Sequence, residues 1–203
     1  MMLGTFLLPL LGSMAGSQTV AGEAEKGTLR TTLMQPVGRT RLLLAKWGVA
    51  NVYMIIGLVI LGVASLAAGA AFFGVDPLSF VSGEGMSAGG SVLRILASFG
   101  YVFVGMLAVI SLTLLLSTFT DSSLTAAAGA LVLVIIMAVL GSFTVFDFLK
   151  PYLITTHLDA WQGLLQTSTD WEPIWKGLIN FAVWSAGTLG LALWRFNRKD
   201  ITS

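Results

Sequence analysis

Apolar positions in this chain come in long unbroken runs. They show neither the alternation of a half-buried strand nor the one-sided spacing of a surface helix. Met1–Gly22, Trp47–Val75, Ile95–Thr120, Ser122–Phe146 and Gly177–Trp194 contain no Lys, Arg, Asp, Glu or His. A helix needs about 20 apolar residues to cross the hydrocarbon layer of a bilayer, and each run meets or nearly meets that length. The pattern therefore predicts an all-α membrane protein, a polytopic bundle of five spans near residues 1–22, 47–73, 95–117, 123–146 and 174–195. The spans form a single transmembrane domain over residues 1–203, with one long polar loop at 23–46. A transmembrane barrel is excluded, because its strands would alternate in segments of about ten residues.

Composition agrees: 56% of residues are hydrophobic, 10% are charged and the mean hydropathy is +0.88. A soluble domain is about a quarter charged. Cysteine is absent and His157 is the one histidine, so a thiolate metal site, an iron–sulfur cluster and disulfide staples are excluded, and haem lacks its usual ligands. His157 reads as a surface histidine near a helix start. A net charge of +1 with no basic stripe argues against nucleic acid as a partner.

The basic residues set the orientation. Lys26, Arg30, Arg39, Arg41 and Lys46 lie between the first two runs, and Arg195, Arg198 and Lys199 follow the last. The alternate segments carry only Arg94, Lys150 and Lys176. By the positive-inside rule the loop 23–46 and the C-terminus face the cytoplasm, and Met1 faces outward. Trp47 and Trp194 then mark the inner interface, Trp171 and Trp175 the outer one. No charge precedes the first run and the basic residues follow it, so it is expected to be retained as a span and not removed as a signal peptide.

Small residues supply packing faces: a GxxxG at Gly12–Gly16, glycines 57, 62 and 69, and the alanines of 126–130. Such faces serve either a subunit interface or, as the commoner use, packing within one chain. On the outer side, Thr156 with Asp159 forms a capping-box pattern, and Leu158, Trp161 and Leu165 share one α-helical face. This predicts a short outer interfacial helix. Pro173 suits the first turn of the last span, with Asp170 and Glu172 at its positive end.

No run carries an ionisable residue in its interior, which disfavours an ion-coupled carrier, since such carriers need ligands at mid-membrane. No GxxxxGK[ST] phosphate loop is present, so no ATP site of the common kind, no enzyme and no bound cofactor are expected. Gly83–Ala88 matches a loose GxGxx[GA] pattern, but it follows no strand and opens no βαβ unit. What stands out is the loop 23–46, longer than a turn requires and rich in charge. Between Gly27 and Pro36, Leu29 and Leu33 fall on one helical face, which suits either solvation of the inner surface or docking into a groove on a cytoplasmic partner.

Here the sequence resembles the permease subunits of the type 2 ABC exporter family. The resemblance rests on Glu23-Ala-Glu25-Lys26-Gly27-Thr28-Leu29-Arg30, then Gln35-Pro36-Val37-Gly38-Arg39, then the basic Lys46, and on the C-terminal Phe196-Asn-Arg198-Lys199-Asp200-Ile201. It implies a subunit of the plasma membrane that forms a substrate pathway as a homo- or heterodimer with a second permease subunit. It also implies that Glu23, Glu25, Lys26, Gly27, Thr28, Leu29 and Pro36 lie at the contact with a separate ATP-binding subunit, with Arg39 and Lys46 anchoring the loop. The family commonly has six spans, against which this chain begins at the second, so an upstream span is expected. The alternative function is a membrane subunit that recruits a cytoplasmic partner without moving a substrate.

Overall fold

The computed structural model describes residues 2–27, 38–73, 88–166 and 169–198, and these residues form a helical bundle. Helix α1 covers Met2–Ser17 and α2 Ala21–Glu25; α3 covers Arg39–Phe73, α4 Ala88–Ser117 and α5 Ser123–Ser142. Two single 3-10 turns, Thr144–Phe146 and Lys150–Tyr152, lead to the short α6 at Ile154–His157, a 3-10 helix at Leu158–Leu165, and α7 at Trp171–Arg198. Four of these helices, α3, α4, α5 and α7, are long and apolar enough to cross a membrane, and α1 adds a shorter apolar helix.

Helix α4 is the centre. It packs against α1, α3, α5, α7 and the 3-10 helix. Its most apolar window is 56% buried within the chain, against 11% for α3 and 22% for α5 and α7. Those three turn large apolar side chains such as Val49, Ile60, Val132 and Val183 outward, which is stable only against lipid or another membrane subunit. Two core clusters divide the bundle along its length. Tyr101, Met106, Leu158 and Phe181 belong to the larger one. Val20, Leu43, Leu114, Ala192 and Phe196 form the smaller one, at the end where α4 finishes.

Three hydroxyls buried in α4 return their protons to the helix. Ser98, Ser111 and Thr113 each donate to the carbonyl four residues earlier, at 2.9, 2.7 and 2.8 Å. In a medium without water this removes the penalty of an unpaired polar group. Ser111 also accepts from the Trp47 indole at 2.9 Å, tying α3 to α4. The backbone carbonyls of the irregular stretch after α5 are met in the same way: Asn180 and Trp184 of α7 donate to Pro151 and Tyr152 at 2.9 and 2.7 Å, and Tyr101 donates to His157 at 2.8 Å.

The helix limits differ from the hydropathy runs where hydropathy has no view. The second predicted span starts at Trp47, but α3 begins at Arg39 and runs 35 residues, about 52 Å at 1.5 Å per residue. That exceeds the ~30 Å hydrocarbon layer, so its basic first turns stand clear of it. The fourth run continues to Phe146, whereas α5 ends at Ser142 and the chain turns extended at Phe143 (φ −93°, ψ 130°). The first run reaches Gly22, but α1 stops at Ser17 and the chain turns through 18–20.

The segment expected to form a short interfacial helix is helical, with a different period. Thr156 caps nothing: α6 starts after Leu153, and the helix that follows is 3-10. Three residues per turn put Leu158, Trp161 and Leu164 in one row, so Leu164 is buried where an α-helix would bury Leu165. At α7 the expected features hold: Pro173 lies in the first turn, and Asp170 accepts from the Glu172 amide at 3.1 Å.

The GxxxG of α1 packs within the chain. A Cβ on Gly16 would stand 2.8 Å from the Thr113 Cβ and 3.0 Å from the Ile110 carbonyl oxygen, so glycine here permits the α1–α4 crossing. At Gly57 a Cβ meets nothing within 4 Å. Gly16→Ala should therefore destabilise the purified protein by about 1–3 kcal/mol, as overpacking typically does. Gly57→Ala should leave its thermal midpoint unchanged or higher; equal midpoints for Gly16→Ala and wild type would refute the crossing.

Candidate partner-docking site

At the end of the bundle where α1 and α4 finish and α3 and α5 begin, polar side chains converge on the turn into α2. Ser17 ends α1, and the chain then reverses through Gln18–Val20. The buried Ser117 hydroxyl, in the last turn of α4, holds this reversal. It accepts from the amides of Val20 and Ala21 at 3.3 and 2.7 Å and donates to the Ser17 carbonyl at 3.3 Å. These amides open α2 and have no acceptor within their own helix.

Helix α2 then presents its two glutamates to two different helices. Glu23 pairs with the Lys46 ammonium of α3, whose Nζ also donates to the Thr19 carbonyl at 2.7 Å. The Lys46 side chain is only 10% exposed and Glu23 32%, so this pair is shielded on the lysine side. Lys46 sits one turn beyond Leu43, which is fully buried in the smaller core cluster. The Glu25 carboxylate accepts from both the amide and the hydroxyl of Ser123, at 3.0 and 2.6 Å. It thereby caps the first turn of α5, where amides lack partners and the helix dipole favours negative charge. Ser122 is the N-cap residue proper, its hydroxyl accepting from Thr125 at 3.4 Å. The bonds from the Ser123 side chain and backbone, with the Lys26 charge adding to them, hold the Glu25 carboxyl below the usual carboxylate range.

Past α2 the chain leaves through Gly27 at φ +69°, a left-handed conformation that suits glycine. Its amide bonds the Ala24 carbonyl at 3.0 Å and closes the helix. Lys26 and Arg39 are exposed, Arg39 as the first residue of α3. The expected contact residues Thr28, Leu29 and Pro36 lie outside the described residues, as do most of the loose GxGxx[GA] match and the Leu29/Leu33 face. Of the sequence-expected site, then, Glu23, Glu25, Gly27 and Lys46 come together, and Lys26 borders them. Two further cations stand at the same end of the bundle. The Arg195 guanidinium lies 3.7 Å from the Phe119 ring centroid, and Arg198 stacks over Trp194. Asn197 near the end of α7 donates to Thr40 of α3 at 3.1 Å.

Sequence reasoning missed Ser117, Thr19 and Ser123. Ser122-Ser123 before an apolar run was a readable helix-start signal. Ser117 carried no local sign, since its three partners lie about a hundred positions away.

The arrangement holds no nucleophile with a base and no phosphate cradle among the described residues. It is a set of fastenings at the root of a loop. The pattern shared by ABC-2 family transporter proteins matches residues 2–201, nearly the whole chain. The chain belongs to the ABC-2 transporter family. Among curated proteins, none matches it. As an ABC-2 membrane domain it is a multi-pass membrane protein and a permease subunit of an ABC transporter. In this ABC-2 subunit the residues that mark the loop in the sequence fasten it at its start, through α2, to Lys46 about two turns into α3 and to the first turn of α5.

The depressed Glu25 pKa makes the α2–α5 fastening depend on pH. A carboxylate whose folded pKa is lowered contributes stability above its unfolded pKa and loses it as pH falls through the folded value. The Ser123 amide should therefore be protected from hydrogen exchange at pH 7 and lose that protection only as the pH falls below the ordinary glutamate range, after correction for intrinsic exchange. Glu25→Ala should abolish the pH 7 protection. Unchanged protection in that variant would show that the carboxylate does not cap α5.

Proposed function

We propose that this permease subunit couples to a separate ATP-binding subunit through the segment between α2 and α3, as half of a dimeric exporter pathway. The observation that carries the proposal is the double fastening of α2, Glu23 to Lys46 on α3 and Glu25 to Ser123 on α5. A partner that displaces this segment moves the start of two long membrane helices at once. Glu23 and Glu25 are spent on contacts inside the chain, so they act as positioning residues, while the residues beyond Gly27 meet the partner. The outward apolar faces of α3, α5 and α7 supply surface for lipid and for a second permease subunit. The side bearing the α2–α3 segment is cytoplasmic, because most of the basic residues lie there.

The coupling test is Lys46→Ala. Its removal leaves Glu23 without its cation and frees the Thr19 carbonyl, at a cost of about 1–2 kcal/mol, between the limits for exposed and buried pairs. In liposomes containing both subunits, substrate-stimulated ATP hydrolysis should fall roughly 5- to 30-fold, that energy expressed as a ratio. Membrane insertion and capture of the ATP-binding subunit should persist. Stimulated hydrolysis equal to wild type would refute the lever. Capture of a cytoplasmic partner with no transport in any reconstitution would favour a recruiting subunit in place of a permease.

Orientation has its own assay, free of background because the chain contains no cysteine. Cysteine at the exposed Gln166 should react with an impermeant thiol reagent in intact cells, and cysteine at the exposed Asp121 should react only after permeabilisation. The reverse pattern would overturn the cytoplasmic placement of the docking end.

A further inference from the structure

The halves of α1, α3 and α4 remote from the docking end enclose an open cleft of about 370 Å³ with the 3-10 helix. Its walls are apolar: Leu8 of α1, Leu58 of α3, and Phe99 and Met106 of α4. Apart from Ser65, Ser98 and the indole of Trp161, the polar residue on the lining is Asp159, which is also its one charged residue. One of those serines, Ser98, is already bonded to the Arg94 carbonyl.

Asp159 is exposed and has no ion-pair partner among the described residues. The local cations are engaged elsewhere. Arg94 donates to the Gln166 carbonyl, Lys150 pairs with Asp147 at 2.6 Å, and Lys176 pairs with Glu172 at 2.6 Å. No other Lys or Arg occurs between Lys46 and Arg195, and the ring of His157, two residues before Asp159, lies 3.2 Å from the Pro151 carbonyl oxygen. An apolar cleft thus carries at its lining one carboxylate residue with no ion-pair partner among the described residues, together with an aromatic side chain of the kind that best attracts a cation.

We infer that this cleft binds a compact amphiphilic cation, its apolar body between α3 and α4 and its onium group between Asp159 and Trp161. The volume falls at the small end of the ~300–1,000 Å³ range of small-molecule sites, which suits one such molecule. An anionic or neutral amphiphile of the same shape gains the apolar contacts and lacks the charge pairing. The inference is independent of the coupling proposal, since binding needs neither ATP nor a partner subunit.

The test uses the full chain in phosphatidylcholine nanodiscs and two probes with the same brominated dodecyl chain, one ending in trimethylammonium and one in maltose. Bromine quenches tryptophan at contact, so Trp161 reports occupancy. The cationic probe should half-saturate at a concentration roughly fivefold lower than the neutral one, the ratio expected of one charge pair near 4 Å in a water-like medium. Asp159→Asn should erase that ratio and keep binding of the neutral probe, and Asp159→Glu should preserve the ratio. Trp161→Phe should remove the saturable quenching. Equal half-saturation of the two probes by wild type, a ratio that survives Asp159→Asn, or saturable quenching that survives Trp161→Phe would each overturn the inference. Absence of saturable quenching by either probe, as when a lipid chain or a second copy fills the cleft, would overturn it too.

Discussion

The approach of α1 to α4 is the constraint on which the docking end depends. Gly16 brings the two backbones together, and a turn later the Ser117 hydroxyl takes up the amides that open α2. In lipid there is no water to satisfy those amides and no hydrophobic drive between helices, so close packing and internal hydrogen bonds carry the association. Because α1 ends where it does, α2 begins where Glu23 reaches Lys46 and Glu25 reaches Ser123. Loosening the crossing would remove the acceptor before it disturbed either glutamate.

The two ends of the bundle differ in how they treat charge. At the docking end, acids and bases fasten helix termini to one another, and the cations of α7 stack on aromatic rings beside a helix end that favours positive charge. At the other end Lys150 and Lys176 are in local ion pairs, Arg94 is bonded to a backbone carbonyl, and Asp159 on the lining of an apolar cleft has no ion-pair partner among the described residues.

The period of the 3-10 helix Leu158–Leu165 shows why side-chain placement outruns sequence pattern. Leu158, Trp161, Leu164 and Leu165 are compatible with an α-helical or a 3-10 face, and the choice decides which leucine is buried. Tertiary contacts decide it: Leu158 packs over Gly105 of α4, and the backbone before it is held by Tyr101 and the donors of α7. The tighter helix then places Asp159 and Trp161 together on the lining of the cleft.

The all-helical membrane class and the long apolar helices were legible in residue order alone. Transfer of a run of residues into lipid is a sum of local terms, so it needs no knowledge of neighbours. The family, too, was legible, because its marks are short stretches of sequence: Glu23 to Leu29, Pro36 to Arg39, and the basic C-terminus. The start of α3 at Arg39, the end of α5 at Ser142 and the roles of Glu23, Glu25, Ser117 and Ser123 were decided only by the tertiary structure. A cap or an ion pair depends on groups far apart in the chain, Glu25 and Ser123 among them, and their separation in space is set by how the helices cross. Hydropathy records that Glu25 is polar; only packing supplies the two Ser123 donors that it meets.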